Sequence, residues 1–200
     1  MSARAPVLRG GRVTLRPARP RDKADRLACG RDPESVRMFG GAAATPVAMT
    51  EAEVDLWYRR FARDPLAWVI EAQGRCVGNT FLHSLDEHDR NARFAIGIFD
   101  PALWSQGLGT EATRLVLGHA FEALQLHRID LRVLEYNARA IACYRKCGFV
   151  EEGFERETVL IDGHWYSDLR MSVLEHEYHA LGPQSPVPFL PGLGGRGDRA

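Results

Sequence analysis

Residues 94–136 read FAIGIFDPALWSQGLGTEATRLVLGHAFEALQLHRIDLRVLEY, and their order decides the fold. Phe94–Phe99 is an apolar run interrupted by Gly97 and closed by Asp100-Pro101. A continuous apolar run fits a strand buried on both faces. A Gly-bearing loop follows, then a helix expected from about Gly107 to Gln125. Its apolar face is Ala112, Leu115, Val116, Ala120 and Leu124, at helical spacing. Arg128–Tyr136 reads as a second buried strand. Strand, loop, helix, strand implies two parallel strands joined by a right-handed crossover.

Working outward, Arg12–Arg16 alternates like an edge strand and Pro17 ends it. A polar helix is expected near Pro20–Cys29, and the Gly, Ala and Pro-rich residues 40–48 form a loop. Thr50 and Glu53 make a capping box, after which Val54, Trp57, Tyr58 and Phe61 mark one helix face. Asp64-Pro65 stops that helix. Ala67–Ala72 and Arg75–Leu82 flank Gln73-Gly74 as a hairpin. Asn137 caps a short helix ending at Gly148. Phe154–Ile161 and His164–Val173 flank Asp162-Gly163, a strong two-residue hairpin signal. The expected fold is one α+β domain around a mixed sheet. It spans residues 10–181, between a flexible N-terminus (1–9) and a disordered tail (182–200) holding nine Gly or Pro among nineteen residues.

Two hundred residues suffice for a core without disulfide or metal staples. Lys plus Arg is 26 and Asp plus Glu is 26, and this zero balance argues against a dedicated nucleic-acid binder. No apolar run approaches the roughly 18 residues of a membrane span, and no secretory signal follows Arg4, Arg9 and Arg12. Cys143 and Cys147 sit one helical turn apart, poorly placed for a disulfide. With Cys29 and Cys76 they read as small reduced hydrophobes, which fits a cytoplasm. The histidines show no H-E-x-x-H spacing, and no metal site is expected, His176 and His179 included.

Trp104–Ala112 links a buried strand to a helix through Gly107 and Gly109. Unpaired N–H groups and the helix dipole at such a junction suit a diphosphate, although the glycines also serve a simple tight turn. Gly107–Ala112 fits G-x-G-x-x-A, yet Asp100–Gln106 separate it from the strand, and Asp130 starts the next strand instead of ending it. Both points disfavour a Rossmann site, and no lysine follows the glycines as a P-loop needs. A diphosphate carrier such as coenzyme A survives these objections. Gly97 inside a strand marks a bulge, a close backbone approach by a ligand, or room for a neighbouring side chain. Asn137 and Tyr144, two helical turns apart, share a face, and Tyr144 is either core-packed or an acid for a departing thiolate.

Taken together, from about Val13 to Leu174, these pieces resemble the GNAT superfamily of N-acetyltransferases. They are closest to its RimJ/RimL-like branch, which acetylates ribosomal-protein N-termini, and to spermidine N-acetyltransferases. The family pattern Q/R-x-x-G-x-G/A falls on Trp104–Gly109. The pattern N-x-x-A-x-x-x-Y-x-K-x-G-F is matched by Asn137, Ala140, Tyr144, Lys146, Gly148 and Phe149. The resemblance implies a mostly antiparallel sheet flanked by helices with a central parallel strand-helix-strand unit. It implies acetyl-CoA as co-substrate, without metal, and direct transfer to a primary amine on a small molecule or protein N-terminus. By the same resemblance, Gln106, Gly107, Leu108, Gly109 and Thr110 hold the coenzyme diphosphate through main-chain N–H groups. Ile96, Gly97 and Ile98 pair with the pantetheine arm, Asn137 contacts the cofactor, and Tyr144 is the general acid.

Three positions depart from the pattern. Trp104 stands where the wider family has Gln or Arg, Ser105 replaces a frequent Gly, and Arg132 occupies the place of a glutamate base in some relatives. Arg93 stands where the spermidine branch often has Glu, which disfavours a polyamine. The general base is left open among Glu71, His83, Asp86, Asp168 and a water chain. A non-catalytic acyl-CoA sensor and an aminoglycoside or polyamine acetyltransferase are the alternatives. The expected partner is an amine, not a nucleic acid or a membrane, and a homodimer is left open.

Overall fold

The computed structural model describes residues 4–42 and 45–182. Eight strands form one sheet in the order β1-β2-β3-β4-β5-β6-β8-β7. Its first half comprises β1 (Leu8–Arg9), β2 (Val13–Arg16), β3 (Ala67–Ala72), β4 (Arg75–Asp86) and β5 (Asn91–Ile98). Its second half comprises β6 (Arg128–Leu134), β7 (Val150–Ile161) and β8 (His164–Leu174). Every neighbouring pair is antiparallel except β5 and β6, so the sheet is mixed with one parallel join.

Helices cover both faces. Along β3, Trp68 and Ile70 enter one core while Ala67 and Val69 enter another, as strand alternation requires. The first core packs under α4 (Leu108–Gly118) and α5 (Ala138–Lys146); the second receives Phe61 from α3 (Glu51–Arg63). The helix α1 (Asp22–Cys29) docks beside that second core through an ion cluster. Arg16 and Asp22, each 1% exposed, bond at 2.7 and 2.9 Å, and Glu71 closes the cluster on Arg16. A charge so deeply buried persists only when fully paired.

Local signals appear where the residues place them. Thr50 and Glu53 make both bonds of the capping box on α3. Asp162 and Gly163 both have positive φ, as the tight turn between β7 and β8 demands. A six-residue helix missed by periodicity, α2 (Pro33–Met38), starts with Asp32 as N-cap and Pro33 at its first turn. The last helix, α6 (Glu175–Ala180), follows β8 directly.

Four expectations need correction. Residues 5–9 are not a loose end: Leu8–Arg9 pair with β2, Ala5 is buried, and Trp68 Nε1 donates to the Pro6 carbonyl at 2.8 Å. The helix expected over 107–125 changes character at His119, where a π-helical turn runs to Ala123 and widens the last stretch. β5 is not buried on both faces, because Ile96, Gly97 and Ile98 are half-buried along a cleft. No register shift marks a bulge at Gly97; the β4–β5 irregularity lies at His83–Asp86. Of the expected tail, residues 183–200 lie outside the described residues. Among the described residues, no helix is long and apolar enough to cross a membrane.

Candidate active site

β5 stays paired with β4 as far as Ile98 but pairs with β6 only over Asn91–Arg93 against Arg128–Asp130. Beyond Arg93 the two parallel strands fork. A cleft of about 600 Å3 opens in the fork. Ile96, Gly97 and Ile98 line one side, Val133 and Leu134 the other, and α5 contributes Asn137, Cys143 and Tyr144. Side-chain contacts hold the fork in shape. Phe94, Tyr144 and Phe149 form an aromatic triangle with centroids 5.7–6.3 Å apart, and Trp104 Nε1 donates to the Ile98 carbonyl at 3.1 Å.

The turn into α4 closes one end of the cleft. Gly107 has φ of 81°, a left-handed conformation that suits glycine, and a Cβ there would sit 2.8 Å from an Arg12 guanidinium nitrogen. Arg12 braces this turn, donating to the Gln106 carbonyl at 2.7 Å and pairing with Glu111 in the first turn of α4. Gly109 differs. A Cβ on it would touch only Cys143 Sγ, at 3.9 Å, so no packing inside the chain demands a glycine there. Its missing side chain leaves the unpaired N–H groups at the start of α4 open to the cleft. Thr110 fixes α5 alongside, its hydroxyl 3.3 Å from Cys143 Sγ and its carbonyl 3.6 Å from Cys147 Sγ. The hydrogen bond from Cys147 pulls the Cys143 thiol below its ordinary range.

Of the residues singled out in the sequence, Ile96, Gly97, Ile98, Gly107, Leu108, Gly109, Thr110, Asn137 and Tyr144 all line this cleft. Gln106 does not. Its amide turns back to the Ala102 carbonyl at 2.8 Å, and its own carbonyl is taken by Arg12. Gly97 makes room for a neighbour, since a Cβ there would lie 3.0 Å from the Phe39 ring. Asn137 accepts from the Ala140 N–H at 3.2 Å and so caps α5. Tyr144 is 8% exposed, and no side chain among the described residues hydrogen-bonds its hydroxyl. Burial pushes that phenol above its usual range, so it keeps its proton at neutral pH.

The base candidates separate cleanly. Glu71 is held by Arg16, Arg19 and Arg21 on the far side of the sheet. Asp86 accepts from the His88 and Asp89 N–H groups in an exposed turn, and His83 lies outside the cleft beside Ser84. Only Asp168 lines the cleft, with Thr158 Oγ1 3.0 Å from its Oδ2. Arg93 points elsewhere and pairs with Asp130 at 2.6 Å, so it offers no free charge to repel a polyamine. The sequence reading missed Arg139, which stacks over Trp104 at 3.8 Å and reaches Glu34 at 3.3 Å. Its signal was present: Arg139, Cys143 and Lys146 recur at i, i+4, i+7 and all line the cleft.

Solved structures share this architecture, and curated sequences resemble the chain. The crystal structure of a spermidine N-acetyltransferase from Vibrio cholerae in complex with CoA and spermine superposes with a TM-score of 0.71. Its sequence is 25% identical, with 84% of this chain and 99% of that one covered. The spermidine N(1)-acetyltransferase of Escherichia coli (strain K12) is 34% identical over 113 residues, 56% of this chain and 60% of that protein's length. An uncharacterized N-acetyltransferase of Bacillus subtilis (strain 168), YoaA, is 25% identical over 176 residues, covering 85% of this chain and 97% of that one. The family model described as acetyltransferase (GNAT) domain matches residues 12–150, well over half of the sequence, and the chain therefore belongs to the GNAT acetyltransferase family.

Proposed function

We propose that this protein transfers the acetyl group of acetyl-CoA to a primary amine by direct attack in a ternary complex. The observation that carries the reading is the fork between β5 and β6, closed at one end by the open N-terminus of α4, with the Tyr144 phenol on its wall. The residues fit the coenzyme: main-chain donors at Gly107–Thr110 suit a diphosphate, and the part of the Ile96–Ile98 edge that Trp104 leaves unpaired suits the amides of a pantetheine arm. Acetyl-CoA supplies an activated acyl group as a thioester. The N–H groups along β5 would polarise its carbonyl, the electrostatic contribution that most lowers such barriers. The amine nitrogen forms the new C–N bond as the C–S bond breaks. Tyr144 hands its proton to the departing sulfur, and the amine's surplus proton leaves to water. Asn137 positions α5 against the cofactor and contacts it. Our reading puts the reaction in the cytoplasm, and four free cysteines support a reducing compartment.

Calorimetry with acetyl-CoA and with NADH, followed by free-CoA release against an amine panel, tests this. Binding of acetyl-CoA but not NADH, with amine-dependent CoA release, is expected. Tight binding without release for every amine would make the protein an acyl-CoA sensor, and preference for NADH would overturn the reading altogether.

A further inference from the structure

The cleft passes through the plane of the sheet. Gly107–Thr110 and Tyr144 lie on the side of α4 and α5, but a second group of lining residues faces the other way. On β5, Phe94 packs into the core under α4 while Gly97 points the opposite way, to Phe39. On β6, Val133 joins that same core and Leu134 faces away from it. Asp168 sits directly across from Leu134 on β8, so the two share that outward face. Val159 comes within reach of Gly40 on the same side, where a Cβ would meet it at 3.1 Å.

The outer mouth is therefore walled by Met38, Phe39, Leu134 and Val159, with Asp168 and Arg132 as its charged groups. Phe39 is 67% exposed, an unusual state for a ring facing a cavity. Arg132 is matched by Glu155 at 3.0 Å, and Arg170 reaches the same carboxylate at 3.4 Å. Among the described residues no such cation pairs with Asp168; Thr158 Oγ1 donates to one of its oxygens. It is also the only carboxylate among the described residues lining the cleft, which carries Arg132, Arg139 and Lys146 as well.

We propose that this outer mouth is the acceptor subsite and that it selects a primary monoamine flanked by an apolar group, the ammonium docking on Asp168 and losing one proton to water before its nitrogen attacks, the apolar group resting against Phe39. This deepens, and rests on, the acetyl-transfer reading. One carboxylate satisfies one ammonium, while each further positive charge of a polyamine finds no second carboxylate among the described lining residues. A free aralkyl amine and a peptide N-terminus beginning with a large apolar residue offer the same chemistry.

The test titrates phenethylamine, the amide of the peptide Phe-Gly-Gly, and spermidine into protein saturated with CoA, and in a separate assay with acetyl-CoA measures acetyl transfer to each. Both monoamines should bind about tenfold or more tightly than spermidine. Asp168→Asn should lower monoamine affinity about tenfold without changing CoA affinity, the worth of one charge-assisted contact. Phe39→Ala should weaken phenethylamine by a similar factor. The tighter of the two monoamine probes identifies the source of the acceptor. Spermidine binding more tightly than both monoamines, or an Asp168→Asn protein that binds them unchanged, overturns the subsite while leaving acetyl transfer intact. Failure of the protein to bind CoA in the first titration overturns both.

Discussion

Along its edge with β4, strand β5 stays paired through Ile98, whereas along its edge with β6 the pairing stops after Arg93. The two edges differ in what lies against them. On the β4 side, Gly78 lets the Gly97 carbonyl come close, Thr80 Oγ1 donates to the Ala95 carbonyl at 3.0 Å, and α3 covers the junction. On the β6 side, the bulk of Phe94, Tyr144 and Phe149 sits beneath the fork and Trp104 takes the Ile98 carbonyl. A sheet that leaves backbone groups unpaired must give them another partner. Here the closed edge maintains the fold and the open edge leaves backbone groups to the cleft.

Breaking the open edge at its chemistry should give the largest effect. Tyr144→Phe is expected to lower turnover roughly 10²–10⁴-fold while acetyl-CoA affinity stays within about twofold, because the ring contacts to Phe94 and Phe149 persist. Steady-state kinetics at saturating amine would show unchanged turnover if the proton comes from elsewhere. Breaking the closed half should cost stability instead. Asp22→Ala strands the buried Arg16 guanidinium, and urea unfolding should register a loss of about 3–5 kcal/mol. A loss below about 1 kcal/mol would mean that Glu71 alone satisfies Arg16.

Next in size is Gly109→Val, which places a branched side chain at the open start of α4, where a Cβ would touch only Cys143 Sγ outside the helix's own backbone. Coenzyme A affinity should drop about tenfold or more, with the urea midpoint nearly unchanged. Equal binding of CoA and pantetheine to the unmodified protein would show that the helix end holds no diphosphate. A smaller effect concerns pH. Hydrogen bonds from Arg128 hold the Glu152 carboxyl down at about 2, against an ordinary 4.5. The unfolded chain binds that proton more readily, so this contribution is complete above pH 4.5 and is lost as pH falls toward 2. Glu152→Gln should flatten that part of the stability profile, and an unaltered slope would assign it to other carboxylates. Gln106→Ala is expected to change coenzyme affinity by less than about twofold, since its amide serves only the Ala102 carbonyl. A loss larger than that from Gly109→Val would reverse the assignment of the anion site.

Much of this was legible in the order of residues. The capping box at Thr50, the turn at Asp162-Gly163 and the strand-helix-strand unit are local signals, and local backbone chemistry suffices to produce them. The motif residues from Gly107 to Thr110 and from Asn137 to Tyr144 were likewise visible, and they meet in one cleft. Other features were hidden for identifiable reasons. α2 is too short to show a period, and only Asp32-Pro33 announces it. The N-terminal strand is two residues long and gains its order from its neighbour β2 and from Trp68, which is remote in sequence. Gln106 lies inside the motif loop, but its side chain bonds the Ala102 carbonyl, and its own carbonyl is taken by Arg12, 94 positions distant.

The sequence by itself determined the elements and their order, the helix caps, the tight turns and the residues that carry the family's motifs, because each depends on neighbours within a few positions. Only the tertiary structure decided where β5 leaves β6, that the cleft runs through the sheet, that Asp168 alone of the base candidates reaches it, and that Arg139 lies on Trp104. Those outcomes depend on which side chains from distant segments fill the space beside a strand, and no local pattern encodes that competition.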